Sequence, residues 1–229
     1  MAEYDHQTAL HYAAYRPPLH RQILELALAP AERFARGLDV GCGTGRSTHA
    51  LAKYCDRVTG IDPSPEMIAA ARRTKAVRFT TQVETDETYG IVTFAGSLFY
   101  QDAATVLRTI TPLCPAGATV LVYDFNVMLE PVFALLGKPM PTGDYNHRKN
   151  FAGVSDGAMT TTGLEETERV FSCTPDELAH LLLSVRAWRE NAFAGTTHAE
   201  LAEQLWEQDF RRPRHLLTAK VFYTRYRIG

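Results

Sequence analysis

Apolar positions along the chain follow two spacings in turn, which predicts alternating helices and strands. Between about residues 5 and 29 they recur at helical intervals that Pro17 and Pro18 interrupt, so two short helices with a bend are expected. Residues 37–40 then form a short apolar run, followed by glycines and by a helical pattern over 47–54. This order predicts a strand, a glycine-rich loop and a helix.

The same alternation continues to residue 125. Further strands are predicted at 57–61, 77–79, 89–95 and 119–125, and helices at 67–72 and 103–110. Strands that alternate with helices in this way predict a parallel α/β sheet with right-handed crossovers and helices on both faces. Ligands of such sheets bind beyond the carboxyl ends of the strands, so the residues that follow each strand should share one rim.

The chain is less regular after residue 125. Residues 136–147 are rich in turn formers and too numerous for a simple connection, which predicts a lid or insertion. Order returns at Thr174 and at Thr197, each of which begins a capping-box sequence ahead of a helical segment. The alternation over 217–226 predicts a final strand.

Composition and charge exclude several classes of protein. Hydrophobic residues make up 45% and charged residues 22%, as in globular chains, and a formal net charge of −2 argues against nucleic acid as a partner. No apolar run approaches the ~20 residues needed to cross a bilayer, and the N-terminal segment lacks the features of a signal peptide. We therefore expect a cytoplasmic protein with no membrane partner.

The cysteines give no sign of a metal or redox site. Cys42, Cys55, Cys114 and Cys173 are widely separated and form no Cys-x-x-Cys pair. They are expected to be free thiols, and no metal ligand is predicted.

The glycine loop carries the first chemical signal. Gly41, Gly43 and Gly45 recur at every second position, and Arg46 stands where a dinucleotide-binding Gly-x-Gly-x-x-Gly loop would place its third glycine. Glycines let the backbone approach a ligand closely, and the helix that follows offers free amides to a small anionic group. Asp62 ends the second strand, where its carboxylate could accept hydrogen bonds from two ribose hydroxyls. The loop and this acid predict a nucleoside site; the alternative is a plain tight turn beside a helix-flanking acid.

These segments resemble the class I S-adenosylmethionine-dependent methyltransferases over residues 37–125. Residues 37–45 and 58–67 are similar to the first and second motifs of that family, 113–122 to the segment leading into its fifth strand, and 82–84 to its adenine-side segment. Residues 12–18 resemble the cap of small-molecule methyltransferases of the type 11 group, such as the trans-aconitate and quinone-pathway enzymes. Where that family often carries a His-Trp pair, this chain has Phe99 and Tyr100.

The resemblance implies a fold and a division of the chain. The expected fold is α/β, a doubly wound, mostly parallel, seven-stranded Rossmann-like sheet with an N-terminal helical cap and a lid insertion after the fifth strand. The expected single domain comprises cap helices at 1–32, the cofactor-binding core at 33–125, the lid at 126–172, and C-terminal helices with the last strand at 173–229.

The resemblance also implies a cofactor, S-adenosylmethionine, and the residues that hold it. Asp39 would orient the loop and contact the cofactor's amino group, the amides of Gly41 and Gly43 would approach its methionine part, and Asp62 would bind its ribose. Pro63, Met67, Val83 and Glu84 would surround the adenine, Gly96 would lie near the methyl donor, and Tyr12 and Arg16 would cover the cofactor. The full expected set is Tyr12, Arg16, Asp39, Gly41, Cys42, Gly43, Gly45, Asp62, Pro63, Met67, Val83, Glu84 and Gly96.

The implied reaction is in-line methyl transfer to a small-molecule acceptor, for which a carboxylic acid is one candidate. Such a reaction depends on alignment, and a base is needed only for weakly acidic nucleophiles. His6, His11 and His147 are candidate bases, and no catalytic residue is assigned. The acceptor pocket is expected between the N-terminal segment and the insertion, where aromatic and basic residues are available: Phe125, Tyr145, His147, Arg148 and Phe151.

Two other functions remain open from the sequence. A non-catalytic module could keep the S-adenosylmethionine site without turnover, since fold alone does not establish activity. A nicotinamide-dependent dehydrogenase would share the strand, loop and acid, although Arg46 breaks its glycine pattern.

Overall fold

A computed structural model describes residues 6–83, 86–154, 157–209 and 211–229. Glu84, expected at the adenine edge, lies outside these residues, and so does the side chain of the candidate base His6. Within the described ranges, no helix has the length and apolar character required to cross a bilayer. All four cysteines are free thiols, as the sequence predicts.

Strands and helices alternate over the first half of the chain as predicted. The strands are β1 (Phe34–Val40), β2 (Cys55–Ile61), β3 (Val77–Thr80), β4 (Ile91–Ala95), β5 (Thr119–Val127), β6 (Met159–Cys173) and β7 (His215–Ile228). The helices are α1 (His6–Ala14), α2 (Leu19–Ala27), α3 (Arg46–Leu51), α4 (Pro65–Ala70), α5 (Ala103–Ile110), α6 (Glu130–Leu135), α7 (Pro175–Leu183), α8 (Arg186–Glu190) and α9 (His198–Gln208). The predicted capping boxes at Thr174 and Thr197 are both present.

The strands form one seven-stranded sheet in the order β3-β2-β1-β4-β5-β7-β6. The first five are parallel, with Val40 opposite both Ile61 and Phe94. β7 runs antiparallel to β5, since Ile228 N donates to Ala118 O at 2.9 Å and Met128 N donates to Thr218 O at 2.9 Å. The predicted fold class is confirmed, and the strand order reverses between β1 and β4, where ligands of such sheets bind.

The region predicted as a lid, 126–172, contains a strand that the sequence pattern did not indicate. β6 occupies Met159–Cys173 and lies at the edge of the sheet. Most of its central side chains are exposed or half-buried, and they are mainly Thr, Glu and Arg, as an edge strand exposed to solvent permits. The hydrophobic pattern therefore contained no apolar alternation from which a strand could be predicted.

The chain divides into two compact units. The helical unit comprises Met1–Pro18, Asn126–Asp144 and Glu168–Lys220, and the sheet unit comprises Leu19–Phe125, Tyr145–Thr167 and Val221–Gly229. Residues of α7 and α9 form the core of the helical unit, among them Leu178, Leu182, Leu201 and Leu205, all fully buried. The core of the sheet unit is built on β1, β4 and β5 and includes Leu38, Phe94 and Val120.

Phe151, expected in the acceptor pocket, is part of that core. Its side chain is 0% exposed, and its ring centroid lies 5.5 Å from that of Phe94 and 5.9 Å from that of Tyr226. Its backbone N–H donates to the Tyr226 hydroxyl at 3.1 Å. A ring enclosed in this way has no surface for a ligand, so the expectation for Phe151 was wrong.

Phe151→Ala should therefore lower the free energy of unfolding by about 3–5 kcal/mol, the usual cost of truncating a fully buried phenylalanine. Urea denaturation followed by circular dichroism measures the change. Leu164→Ala is the matched control, because Leu164 is 69% exposed in the same unit and its loss should cost little. A loss below about 1 kcal/mol for Phe151→Ala would place the ring outside the core.

Candidate active site

The glycine loop after β1 needs its glycines for conformation and for space. Gly41, Gly43 and Gly45 have φ of 72°, 53° and 90°, a region that other residues rarely adopt. A Cβ at Gly41 would lie 2.3 Å from the Cβ of Ser97, and one at Gly45 would lie 2.4 Å from the ring of Phe79. Side chains would therefore displace both neighbours, and the loop is restricted to a form that presents bare backbone.

The backbone donors of the loop are partly used within the protein. Gly41 N donates to Ile61 O at 2.8 Å, and Gly43 N donates to Asp62 Oδ2 at 2.9 Å. These amides were expected to approach the methionine part of the cofactor, and their hydrogen atoms are engaged by Ile61 O and by the Asp62 carboxylate instead. Gly41 and Gly43 can still admit a ligand by their lack of side chains.

Asp39 is the buried anchor of the loop. Its carboxylate is 0% exposed and accepts hydrogen bonds from Ser47 Oγ at 2.6 Å, Thr48 Oγ1 at 2.7 Å and Thr93 Oγ1 at 2.9 Å. Burial raises the pKa of Asp39, and the three hydroxyl donors oppose that rise. The expected orienting role fits these contacts, whereas direct contact with the cofactor's amino group does not, because the carboxylate has no exposed surface.

Asp62 occupies the corresponding position at the end of β2 and is half-buried. Its Oδ2 accepts from Gly43 N, and its Oδ1 accepts from Ser64 N at 3.0 Å. Ser64 in turn caps α4 by accepting from Met67 N at 3.3 Å, as the sequence predicts. Each carboxylate oxygen keeps a lone pair for a ligand, so Asp62 is both fixed in orientation and able to accept further hydrogen bonds.

Two expected contact residues have side chains in the core. Cys42 is 5% exposed and Met67 is 2% exposed. The Cys42 side chain packs with Ile68 and Phe79, and burial raises the pKa of its thiol well above the ordinary range. The Met67 thioether, which was expected to flank the adenine, therefore lies in the core. The predicted contact of Cys42 with the cofactor could be made only by its backbone. Pro63 is exposed and Val83 is half-buried against the core of the sheet unit, and their contacts with the cofactor remain predictions.

The end of β4 forms a second tight junction at Gly96, where φ is 71°. A Cβ there would lie 3.0 Å from Asp124 Oδ1, and the Tyr145 hydroxyl donates to Gly96 O at 2.7 Å. The adjacent Ser97 hydroxyl donates to Val40 O in β1. Gly96 thus lies close to Asp124 of β5 and accepts a hydrogen bond from Tyr145. The adjacent Ser97 joins this junction to Val40, the last residue of β1.

Asp124 and His147 form a hydrogen-bonded pair beside Gly96. His147 Nδ1 lies 3.0 Å from Asp124 Oδ2, and both side chains are partly buried, at 27% and 17% exposure. The other carboxylate oxygen, Oδ1, accepts from Phe125 N at 2.7 Å, which fixes the plane of the carboxylate. His147 was a predicted candidate base; Asp124 was missed, although it is a charged residue within an otherwise apolar strand.

Aromatic rings adjoin this pair and line a narrow cleft with Gly96. The Tyr145 ring centroid lies 4.3 Å from that of Phe99 and 4.6 Å from that of His147. Arg148, also expected in the acceptor pocket, instead binds Glu166 through two hydrogen bonds at 2.9 and 2.7 Å and lies over the ring of Phe222. Phe125 is 8% exposed, and its ring lies against that of His20. Of the five expected acceptor residues, only Tyr145 and His147 line the cleft.

The remaining predicted residues belong to the helical unit. The Arg16 guanidinium lies over the ring of Tyr12, 4.2 Å from its centroid. His11, a candidate base, lies beside His180, with 2.9 Å between their Nδ1 atoms. Contact of Tyr12 and Arg16 with the cofactor remains a prediction.

Parts of this chain are similar in sequence to known proteins. Residues 38–113 match a family model described as a methyltransferase domain. Nodulation protein S of Sinorhizobium fredii is 30% identical over 117 residues, 45% of this chain and 54% of that protein. Trans-aconitate 2-methyltransferase of Escherichia coli is 43% identical over 75 residues, 31% of this chain and 29% of that enzyme. The chain thus spans about half or less of the length of these relatives.

Solved structures are similar to this protein in fold over most of the chain. A protein from Anaeromyxobacter dehalogenans, described provisionally as a type II methyltransferase, superposes with a TM-score of 0.66. The superposition covers 93% of this chain and 98% of that one at 20% sequence identity. At this identity the likeness concerns the fold alone.

A doubly wound sheet whose first loop carries alternating glycines and whose second strand ends in an acid defines a class of nucleoside-binding proteins. The family match narrows that class. Within it, residues 38–113 are similar to a methyltransferase domain, and the cofactor that this similarity implies is S-adenosylmethionine. The residues present fit that cofactor, because Asp62 offers carboxylate lone pairs for ribose beside a loop whose glycines carry no side chains.

Asp62→Ala should weaken binding of S-adenosylhomocysteine, the demethylated cofactor, by roughly 1.5–3 kcal/mol, the range for hydrogen bonds to a charged group. Isothermal titration calorimetry measures the change. Asp56→Ala serves as the control, because Asp56 is an exposed acid on the same strand. Unchanged affinity in a folded Asp62 variant would remove this carboxylate from the site.

Thr93→Val should lower the free energy of unfolding by about 1–3 kcal/mol, because it removes one donor from a fully buried carboxylate and leaves the shape unchanged. Chemical denaturation provides the measurement. Thr160→Val, at an exposed position of β6, is the matched control and should change stability by less than about 0.5 kcal/mol. Equal effects for the two variants would show that Asp39 does not depend on the hydroxyl.

Proposed function

We propose that this protein transfers a methyl group from S-adenosylmethionine to a small organic acceptor whose nucleophilic atom loses a proton. The observation that carries this proposal is the Asp124–His147 pair beside Gly96, with 3.0 Å between Oδ2 and Nδ1. A histidine whose ring is held by a carboxylate is typical of a general base.

The two members of the pair have separate roles. Asp124 accepts a hydrogen bond from His147 Nδ1–H, which selects the tautomer with a lone pair on Nε2. His147 Nε2 then takes the proton from the acceptor. Asp124 is a positioning residue, because it acts through the imidazole and its own second oxygen is used by Phe125 N.

The rest of the cleft aligns the reactants. When bound, S-adenosylmethionine supplies an electrophilic methyl group on a positively charged sulfur. The rings of Phe99 and Tyr145, 4.3 Å apart, can face such a charge and exclude water from the cleft. Tyr145 is held in place by its hydrogen bond to Gly96 O, so it also fixes the segment that carries His147.

A carboxylic acid is the second candidate acceptor. Two observations favour it: the relatives of this chain include trans-aconitate 2-methyltransferase, and Lys149 lines the cleft and could pair with a carboxylate. A carboxylate nucleophile carries no proton at neutral pH and needs no base. The two candidates therefore differ in how strongly transfer depends on His147.

Turnover is the test that separates an enzyme from a non-catalytic cofactor-binding module. Purified protein is incubated with S-adenosylmethionine and a panel of phenols, alcohols, amines and carboxylic acids that includes trans-aconitate. Release of S-adenosylhomocysteine and the mass of the methylated product are measured. Binding of the cofactor without turnover on any acceptor would contradict the proposal and favour the module.

His147→Gln should lower the rate of transfer by about 10²–10⁴-fold, the usual contribution of a positioned base, and leave affinity for S-adenosylhomocysteine unchanged. Asp124→Asn should lower it to a similar extent, because Phe125 N–H holds the amide oxygen and the amide NH2 then faces His147 Nδ1, which leaves no lone pair on Nε2. Arg148→Ala is the control, because that exposed side chain pairs with Glu166. A His147 variant with wild-type turnover would exclude the base and favour a carboxylate acceptor.

A further inference from the structure

The helical unit brings together side chains that the reaction does not use. Asp176 and His180 lie on α7, and His198 is the first residue of α9. Their ligand atoms lie within 4.8 Å of one another, although the sequence suggested no metal site. We propose that Asp176, His180 and His198 bind one divalent transition-metal ion, with zinc as the expected metal.

The distances are close to those of a coordination shell. Asp176 Oδ1 lies 3.4 Å from His198 Nε2, and Asp176 Oδ2 lies 4.0 Å from His180 Nε2. Ligands at zinc distances in a tetrahedral shell are separated by about 3.3–3.4 Å. The His180 and His198 rings are stacked with 3.8 Å between centroids. Small rotations of the side chains would therefore bring all three atoms onto one ion.

Local structure explains why three residues distant in sequence converge. Asp176 and His180 are four positions apart, which places them on the same face of α7. Both helices begin at capping boxes, on Thr174 and on Thr197, which fix the first turns that carry Asp176 and His198. His198 Nε2 also lies 3.2 Å from the backbone oxygen of Asp176, so the two helix starts are already in contact.

The surroundings favour metal-binding forms of the imidazoles. His11 Nδ1 lies 2.9 Å from His180 Nδ1, and a hydrogen bond there leaves Nε2 of His180 directed at Asp176. Such outer hydrogen bonds orient metal-binding histidines.

The donor set selects the metal. Two imidazoles and one carboxylate suit zinc and its neighbours in the transition series, whereas magnesium and calcium prefer oxygen ligands. Three protein ligands leave a fourth position for water. The site would link the starts of α7 and α9 and so stabilise the helical unit when the metal is bound.

Zinc binding to the purified full-length chain tests the proposal. After removal of metal with a chelator, Zn²⁺ is titrated by calorimetry, and bound metal is counted by mass spectrometry. We expect one ion per chain, and at least about tenfold weaker binding in each of His180→Ala and His198→Ala. His11→Phe should weaken binding by a factor in the range of about 10–100.

His147→Ala is the matched control, since His147 is also paired with an aspartate but lies in the sheet unit. It should bind zinc as the wild type does. Circular dichroism confirms that each variant is folded, and a zinc-dependent rise in melting temperature should occur in the wild type and in His147→Ala alone. Absence of stoichiometric binding in the wild type, or wild-type affinity for zinc in His180→Ala or His198→Ala, would overturn the site and leave the cluster a packing contact.

Discussion

The hydrogen bonds to the buried carboxylate of Asp39 are the interactions on which the glycine loop and the strands beside it depend. The carboxylate accepts hydrogen bonds from α3 through Ser47 and Thr48 and from β4 through Thr93, so one side chain joins the strand, the helix and the neighbouring strand at the point where the sheet order reverses. A fully buried carboxylate is stable only when such donors surround it. Loss of one donor therefore affects the loop as well as the core.

Asp39 and Asp62 lie near the same rim of the sheet and have different roles. Asp39 has no exposed surface and acts by shaping the loop, whereas Asp62 is half-buried and fastens Gly43 and Ser64 while keeping lone pairs for a ligand. The glycines contribute their backbone conformation rather than free donors, because the N–H of Gly41 is bonded to Ile61 O and that of Gly43 to the Asp62 carboxylate. The loop is thus preformed and needs little rearrangement to admit a cofactor.

The sequence predicted the sheet, the loop and the helix starts because these depend on local pattern and spacing. It did not predict β6, since an edge strand of Thr, Glu and Arg lacks apolar alternation. It also placed Met67 beside a ligand through the family resemblance and Phe151 through its position in the irregular segment, and neither ground distinguishes a side chain in a pocket from one in the core. Asp124 was missed because its partner His147 is 23 positions away, so no local pattern connects the two residues.

The proposed acceptor cleft and the glycine loop of the sheet unit meet at a single peptide junction. Ser97 donates to Val40 O and fills the space that a side chain at Gly41 would need, while the preceding Gly96 approaches Asp124 and receives the Tyr145 hydroxyl. Movement of the segment that carries His147 would therefore displace Gly96 and Ser97. Through Ser97 it would also displace Gly41 in the glycine loop. Packed interiors transmit such displacements because they contain few voids. Substitutions that adapt the cleft to another acceptor are thus constrained at Gly96 and Tyr145. Substitutions of Phe99 and Lys149 should disturb the cofactor site less.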